Sequence, residues 1–389
     1  MKAVLISSFL PHPTGAGGNI GAFAIASSIS ASGYNVGICY TGTGKIGNEE
    51  KFHYKLANCF ASTLEERKIL VKRFLDEYQP DVVWIHPIPD WENFGSLSLR
   101  YPHVVVAGDP LDLIKKFRFR YDGGAEKGIL RRVKYYIENR LEARKIYKLE
   151  RDFLRACKQR GVVAAYGVGD IKYREKQINT RVELCELSFP NYIEKVSYSG
   201  IKNFLVLGNF DTIHTRYGVE FFLKRIWPIW RKSSLLNSAT VRLVGGGRYP
   251  EKRLGPPPQN QEGLKFIGFA DSILEEYRNA IAVLVSVPIK LGFRTRVVEA
   301  WAHGVPVIMD ASSQIGLPEA IHGKNCLIAN NPEQFIEHSL KLINSEELRQ
   351  TLSDGGRSTF ENHYFNSSEI VQRRYDKISR NAISKFNNG

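Results

Sequence analysis

The chain has 389 residues, 43% of them hydrophobic and 24% charged, which fits a globular protein of two domains and excludes a disulfide-stapled peptide or a disordered chain. Lys and Arg number 54 against 40 Asp and Glu, a net charge of +14. Residues 111–160 hold 16 Lys/Arg and 7 Asp/Glu, or +9 of that excess, so an anionic neighbour is expected: nucleic acid, a membrane surface or a phosphorylated substrate.

Ala3–Ser7 reads as a short buried strand, followed by a turn-rich loop, Phe9–Gly18, and a helix from Asn19 to Ser32 that stops at Gly33. Val36–Tyr40 is the next strand, so the chain opens with a βαβ unit and a parallel sheet. Glu65–Tyr78 is a helix closed by Gln79-Pro80, and Val82–His86 and Val104–Ala107 have the unbroken apolar character of strands covered on both faces. The basic stretch leads into a long helix with Leu130, Val133, Ile137 and Leu141 at helical spacing. Val162–Ala165 returns to strand, and Ser188–Gly200, with Pro190-Asn191, reads as a linker.

The same grammar then restarts. Asn203–Leu207 is a strand, Gly208–Tyr217 a loop, Val219–Arg231 a helix, and Ala239–Val244 a strand running into three glycines. Strands at Leu264–Ile267, Ala282–Val287 and Val305–Met309 alternate with helices near Ile273–Asn279 and Arg296–His303. The expected fold class is α/β, two successive doubly wound domains at 1–190 and 191–365. A last helix, 366–389, is expected to cross back to the first domain.

Five cysteines, Cys39, Cys59, Cys157, Cys185 and Cys326, are widely spaced with no Cys-x-x-Cys pair. That pattern argues for reduced thiols and a cytosolic setting. The apolar run at the N-terminus is too short for a signal peptide, and no run of about 18 apolar residues is present. Membrane contact would therefore be peripheral.

A dinucleotide site fails on the residues. Gly15–Ile20 has Ile20 where the third glycine belongs, its glycines come eight residues after the strand, and the second strand ends in Tyr40-Thr41 with no acidic residue. Gly42–Lys45 has Cys39 and Ile46 where a phosphate-binding loop needs Gly and Ser/Thr, and reads as a surface turn. Gly17-Gly18 still stands between a sheet and a helix start, where backbone N–H groups can approach an anion or a sugar; a loop needing positive φ is the equal alternative.

In the second domain, Val287–Ile308 is a strand end, a glycine-containing loop, a helix and a strand, with Arg294, Arg296 and Glu299 near the helix start. There, N–H groups and cations can share a phosphate while a carboxylate takes ribose hydroxyls, though Glu299 taken alone reads equally as a cap or an ion-pair partner. Together with Gly316-Leu317, this stretch resembles the donor-site signature of GT-B glycosyltransferases, particularly the large retaining family 4. Gly17-Gly18, Pro80–Val83, Phe204–Gly208, Val241–Gly247 and Leu264–Phe269 fit in order, so the likeness spans nearly the whole chain. Two features depart from it. Leu291 stands where the usual first glutamate belongs, and the loop Gly208–Gly218 lacks the usual Arg and Lys, as in a subgroup whose helix ends in Ile-Trp-Pro, matched by Ile226-Trp227-Pro228.

The resemblance implies two Rossmann-like domains facing across a cleft, and transfer of a sugar from a nucleoside-diphosphate-sugar to a glycan, glycolipid or lipid-linked acceptor, with retention of configuration. It implies donor contacts at Gly17, Gly18, Asn209, Arg216, Gly268, Phe269, Arg294, Arg296, Glu299, Ile315, Gly316 and Leu317. Glu299, Arg296, Arg294 and Asp109 are the implied catalytic residues; Asp109 is equally readable as a turn residue before Pro110. No cofactor or metal is expected, there being no Asp-x-Asp motif. A nucleotide-binding relative without transferase activity is the alternative, and an NAD-dependent enzyme a weaker one. No nucleic-acid motif is present, so nucleic acid is not an expected partner. The basic segment 111–160 is either a surface for an anionic membrane leaflet on the cytoplasmic side or a solvated helix face with Glu142–Lys145 pairing.

Overall fold

The computed structural model describes residues 1–12, 17–42, 55–59, 61–86, 94, 96, 99–122, 129–189, 193–258, 263–290 and 292–388. Gly15-Ala16, Thr43–Lys45, Ile46, Pro190-Asn191 and Leu291, all used above, lie outside the described residues. The chain divides into two units: Met1–Asn191 with His363–Gly389, and Tyr192–Asn362.

The first unit is built on a parallel sheet of strand order β3-β2-β1-β4-β5-β6-β7. Its strands are β1 (Lys2–Ser7), β2 (Asn35–Tyr40), β3 (Lys55–Asn58), β4 (Val82–Ile85), β5 (His103–Ala107), β6 (Val162–Ala165) and β7 (Glu183–Leu184). Every residue of β4, β5 and β6 is buried, the mark of a sheet covered on both faces. The helices are α1 (Gly17–Ala31), α2 (Leu64–Tyr78), α3 (Leu111–Asp122), α4 (Ile129–Arg160) and α5 (Val168–Ile178). Thr63 and Glu66 close a capping box at the start of α2, which satisfies two orphan backbone donors there. The final helix, Glu369–Asn388, packs on α1 and on β4, β5 and β6 of this unit. Tyr375 stacks on Trp84 at 5.4 Å and its hydroxyl donates to Glu186 O at 3.0 Å.

Helix α4 bears the expected helical spacing and sets that apolar line outward. Its buried face carries Asn139, Ala143, Glu150, Leu154 and Cys157, while Val133, Ile137 and Leu141 face solvent. The apolar spacing is helical, yet it marks the outer face, because Glu150 is turned inward by an ion pair with Arg174 at 2.9 Å. Glu142 pairs with Lys115 of α3 at 2.8 Å and not with Lys145.

The second unit has the sheet order β10-β9-β8-β11-β12-β13, from β8 (Asn203–Leu207), β9 (Thr240–Val244), β10 (Leu264–Gly268), β11 (Ala280–Val285), β12 (Val307–Asp310) and β13 (Leu327–Ala329). Its helices include α6 (Ile213–Phe221), α7 (Ile273–Arg278), α8 (Thr295–Ala302), α9 (Pro332–Asn344) and α10 (Glu346–His363). The core is aromatic on one side of the sheet: Phe204 meets Trp230 edge-on at 5.0 Å, and Phe210, Tyr249 and Phe266 form a cluster.

Helix α6 starts six residues before the expected Val219, because Thr212 caps it by accepting from the Thr215 N–H. It runs into a π turn, Phe222–Ile226, ahead of Trp227–Trp230. Pro228 has no N–H to return to the preceding turn, which accounts for the widened spacing there. Edge strands β3, β7 and β13 were not legible in the sequence: they have four, two and three residues, too few for a period to register.

Candidate functional site

In an open parallel sheet, ligands bind beyond the carboxyl ends of the strands, where the strand order reverses. In the second unit that point lies between β8 and β11. The segments leaving these two strands, and helix α8, hold most of the residues the sequence nominates.

Arg296 sits in the first turn of α8 and reaches across this point. Its guanidinium donates to Leu207 O, the last carbonyl of β8, at 2.6 Å and to Thr215 Oγ1 at 3.0 Å. A guanidinium has five N–H groups, so an arginine held by these two bonds keeps donors for an anion. Burial, then the nearby Arg294 charge, lowers its pKa to about 10, which leaves it cationic at neutral pH. Glu299 follows at i+3 on the same helix, hence on the same face. Burial pushes its carboxyl above the ordinary value, opposed by Arg296 and by the Tyr277 hydroxyl. Tyr277 on α7 is buried with its hydroxyl lacking a hydrogen-bond partner of good geometry, and the Glu299 charge adds to burial in raising its pKa.

Arg294 takes a different place from Arg296. It is 5% exposed, and its guanidinium donates to Ser313 Oγ at 3.2 Å, to Val287 O at 3.4 Å and to Ile289 O. Asp310 completes the network, accepting from Val287 N at 2.8 Å, Ser313 Oγ at 2.9 Å and Ser312 N at 2.9 Å. Arg294 thus ties the strand exit of β11 to that of β12. Arg216 donates to Phe210 O and lies 3.6 Å from Asp211, holding the loop after β8.

Glycines let these loops close on one another. Gly208 has φ +149°, and a Cβ there would come within 2.5 Å of Thr215 Oγ1 and 2.9 Å of Arg296 Nη2. A Cβ on Gly245, also at φ +149°, would lie 1.9 Å from Gly208 O. Asn209 Oδ1 accepts from the Asp211 N–H at 2.8 Å, and Asp211 from the Arg248 N–H at 3.0 Å, so this loop is built on side-chain to backbone bonds. Beyond β10, Phe269 is 83% exposed, its ring beside Gly246. The turn Ser313–Gly316 brings Gly316 against Gly292, where a Cβ would be 2.5 Å from the carbonyl oxygen. The N–H groups of Ile315 and Leu317 close the turn itself, on Ser312 O and Gln314 O, and the Leu317 side chain is fully buried.

In the first unit the strand order reverses between β1 and β4. Gly17 and Gly18 open α1 there, and a Cβ at Gly18 would overlap the Phe9 ring at 2.5 Å. His86, following β4, and Tyr166, following β6, are buried, with His86 Nδ1 and the Tyr166 hydroxyl unpartnered. Burial lowers the His86 pKa to about 3, so the ring is neutral. Asp109, half-buried after β5, contributes to raising the Tyr166 pKa, after burial and the Cys185 and Tyr375 side chains. The structure therefore gathers Arg296, Glu299, Asn209 and Gly208 at one switch point, with Arg294 beneath it, and Gly17 and Gly18 at the other.

Sequence reasoning missed Thr215, Tyr277, Asp310 and Ser313. Thr212-x-x-Thr215 is a readable cap signal that would have found the first; the others meet the site only through the fold. Among the described residues no group of three or more His, Cys, Asp and Glu is placed to hold a metal ion, and no helix is long and apolar enough to cross a membrane.

Residues 201–345 match the family model described as glycosyl transferases group 1. No curated protein sequence matches the chain. Among solved structures, Anabaena HepE in complex with UDP-glucose superposes with a TM-score of 0.67 at 14% identity, covering 99% of this chain and 100% of that one. Sucrose-phosphate synthase from Thermosynechococcus elongatus gives 0.64 at 13% identity, over 99% and 100% of the two chains. WaaG, a glycosyltransferase involved in lipopolysaccharide biosynthesis, gives 0.59 at 15%, over 97% and 99%. Both sheets of the chain thus belong to the α/β architecture of two Rossmann-like domains, and the protein has the GT-B fold, with residues 201–345 of its second unit matching the group 1 glycosyl transferase model.

Proposed function

We propose that the protein transfers a sugar from a nucleoside-diphosphate-sugar to a glycan, glycolipid or lipid-linked acceptor in polysaccharide assembly, with retention of configuration, at the cytoplasmic side of a membrane. The observation that carries this reading is the pairing of Arg296 and Glu299 one helical turn apart at the switch point of the second unit. Arg296 neutralises the diphosphate and Glu299 accepts from the ribose hydroxyls. Phe269 offers an exposed aromatic face for the base.

Transfer breaks the bond from the anomeric carbon to the diphosphate oxygen, forms one to an acceptor oxygen, and releases the acceptor's proton. Charge develops on the leaving diphosphate, so a fixed cation and helix N–H groups address the main catalytic requirement. In this reading the protein's own groups supply that stabilisation, with the donor as substrate and no cofactor. Related folds were solved with UDP and with UDP-glucose bound, which supports a uridine donor as the first to try. The test is a thermal-shift and turnover screen with UDP-, GDP- and dTDP-sugars. Stabilisation by one donor, with release of the matching nucleoside diphosphate in the presence of acceptor, is expected. Donor binding with no turnover on any acceptor class would instead assign a nucleotide-binding relative without activity.

A further inference from the structure

The second unit holds a cavity of about 510 Å³ at the amino ends of its central strands, where Ile281 opens into it from the start of β11 and Pro306 from just before β12. Arg296 lies beyond the opposite, carboxyl ends. Tyr198 and Tyr277 give the cavity aromatic walls, and Lys195 and Arg349 stand among its lining residues. Arg349 is half-buried, with Nη1 donating to Leu342 O at 2.5 Å and to Ile343 O at 3.2 Å, and its Cζ lies 5.6 Å from the centroid of the Tyr198 ring. Its Nε and Nη2 are left over, and they form the edge of the fork that grips a carboxylate or phosphate with two bonds. Lys195 is shared with Asp354 at 2.6 Å, and Glu346, the one lining acid among the described residues, is exposed at the start of α10. Tyr277 links this cavity to the donor site. Its ring stacks on His303 at 4.5 Å, the His303 N–H donates to Glu299 O at 3.1 Å one turn back along α8, and its buried hydroxyl neighbours the Glu299 carboxyl.

We infer that this cavity binds a small organic anion, its carboxylate or phosphate on Arg349 and its apolar body against Tyr277, Ile281 and Pro306, and that occupancy acts on Glu299 through Tyr277. Apolar walls with a few convergent polar groups are the make-up of a small-molecule site. The two halves of the lining select the ligand class together: a purely apolar molecule leaves the arginine fork unused, and an inorganic anion leaves the aromatic walls wet. The binding stands on the cavity alone, whereas the coupling rests on the reading of Glu299 as a donor-site residue. Coupling between two sites is reciprocal, so each ligand must change the affinity of the other by the same factor.

The test is calorimetric titration of the full chain, without nucleotide, with 1-naphthoate, 1-naphthyl phosphate and the neutral 1-naphthylmethanol. Saturable binding of at least one anion, about tenfold or more tighter than the alcohol, is expected, and the tighter anion identifies the head group. Arg349→Leu should weaken that anion about tenfold, and Tyr198→Ala should weaken it several-fold. Tyr198 is 38% exposed, so its variant should melt with the parent even where Arg349→Leu, which loses two carbonyl bonds, does not. Tyr277→Phe keeps the wall, removes the hydroxyl, and should bind the anion like the parent. With the anion at saturation the UDP dissociation constant should change by about threefold or more, UDP should change that of the anion equally, and Tyr277→Phe should abolish both effects. No preference for anions over the alcohol, binding unchanged in both Arg349→Leu and Tyr198→Ala, or a UDP affinity indifferent to the anion would overturn the proposal. Glu299→Gln separates the two sites: it should lose UDP and keep the anion, and loss of both would place the anion in the donor site and overturn the cavity. A chain that takes the anion but no nucleotide would overturn the donor reading and the coupling while upholding the cavity.

Discussion

Arg296 donates to Thr215 Oγ1 at 3.0 Å across the β8–β11 switch point, joining two helices through residues 81 positions apart in sequence. With the bond to Leu207 O it fixes the guanidinium before a ligand arrives. Preorganised charge is worth more than charge that must be ordered on binding. Thr215→Val should therefore weaken nucleoside diphosphate binding several-fold while Arg296→Ala weakens it by tenfold or more, about 1.4 kcal/mol; calorimetric titration measures both. Equal losses in the two variants would mean that Thr215 does more than position the arginine.

Glu299 offers a separation of binding from stability. Burial raises its pKa, so above the ordinary carboxylate range the ionised form is penalised in the free fold, and that penalty grows as pH rises through the raised value. Glu299→Gln should consequently melt at the same temperature as the parent or higher at neutral pH, yet lose most nucleotide affinity. A melting temperature well below the parent's would point to a structural carboxylate.

Arg294 should behave in the opposite way. Its removal leaves Ile289 O and Ser313 Oγ without that donor in a buried position, while Val287 O keeps the Ile289 N–H at 2.7 Å. Arg294→Met should cost about 2 to 4 kcal/mol of folding stability, read by denaturant titration, with nucleotide affinity reduced only through the loosened loop. Loss of affinity at unchanged stability would return Arg294 to the diphosphate.

Gly245→Ala forces a methyl group to within 1.9 Å of Gly208 O at φ +149°. Either the backbone shifts or the loops part, at a cost of about 2 kcal/mol or more. The nucleotide affinity should fall with it, because Gly208 sits against Arg296. A variant with parent-like melting and binding would show the two loops to be free to separate.

Acid should destabilise the first unit through His86. Its pKa near 3 in the fold lies below the usual 6.5, so the unfolded chain takes up a proton first as pH falls. The stability is present above about pH 6.5 and is lost toward pH 3 at up to about 1.4 kcal/mol per unit. His103, His303 and His338 shift in the same direction, also chiefly by burial. Denaturant midpoints between pH 7 and pH 5 measure the slope, and His86→Gln should make it shallower; an unchanged slope would remove His86 as a source.

The sequence by itself determined the two doubly wound sheets, because continuous apolar runs of strand length separated by helical periods leave few other folds. It also placed Arg294, Arg296 and Glu299 at one helix start, since three neighbours in a chain remain neighbours in a helix. What it left open was which arginine turns inward. That depends on Val287, Ile289, Ser313 and Asp310, carbonyls and side chains brought together by β11 and β12. Likewise the periodicity of α4 gave a helix and an apolar line, but not the side on which that line lies. Tertiary structure decided it, because the buried pair Glu150–Arg174 turns the helix inward along its polar face and leaves Val133, Ile137 and Leu141 in solvent.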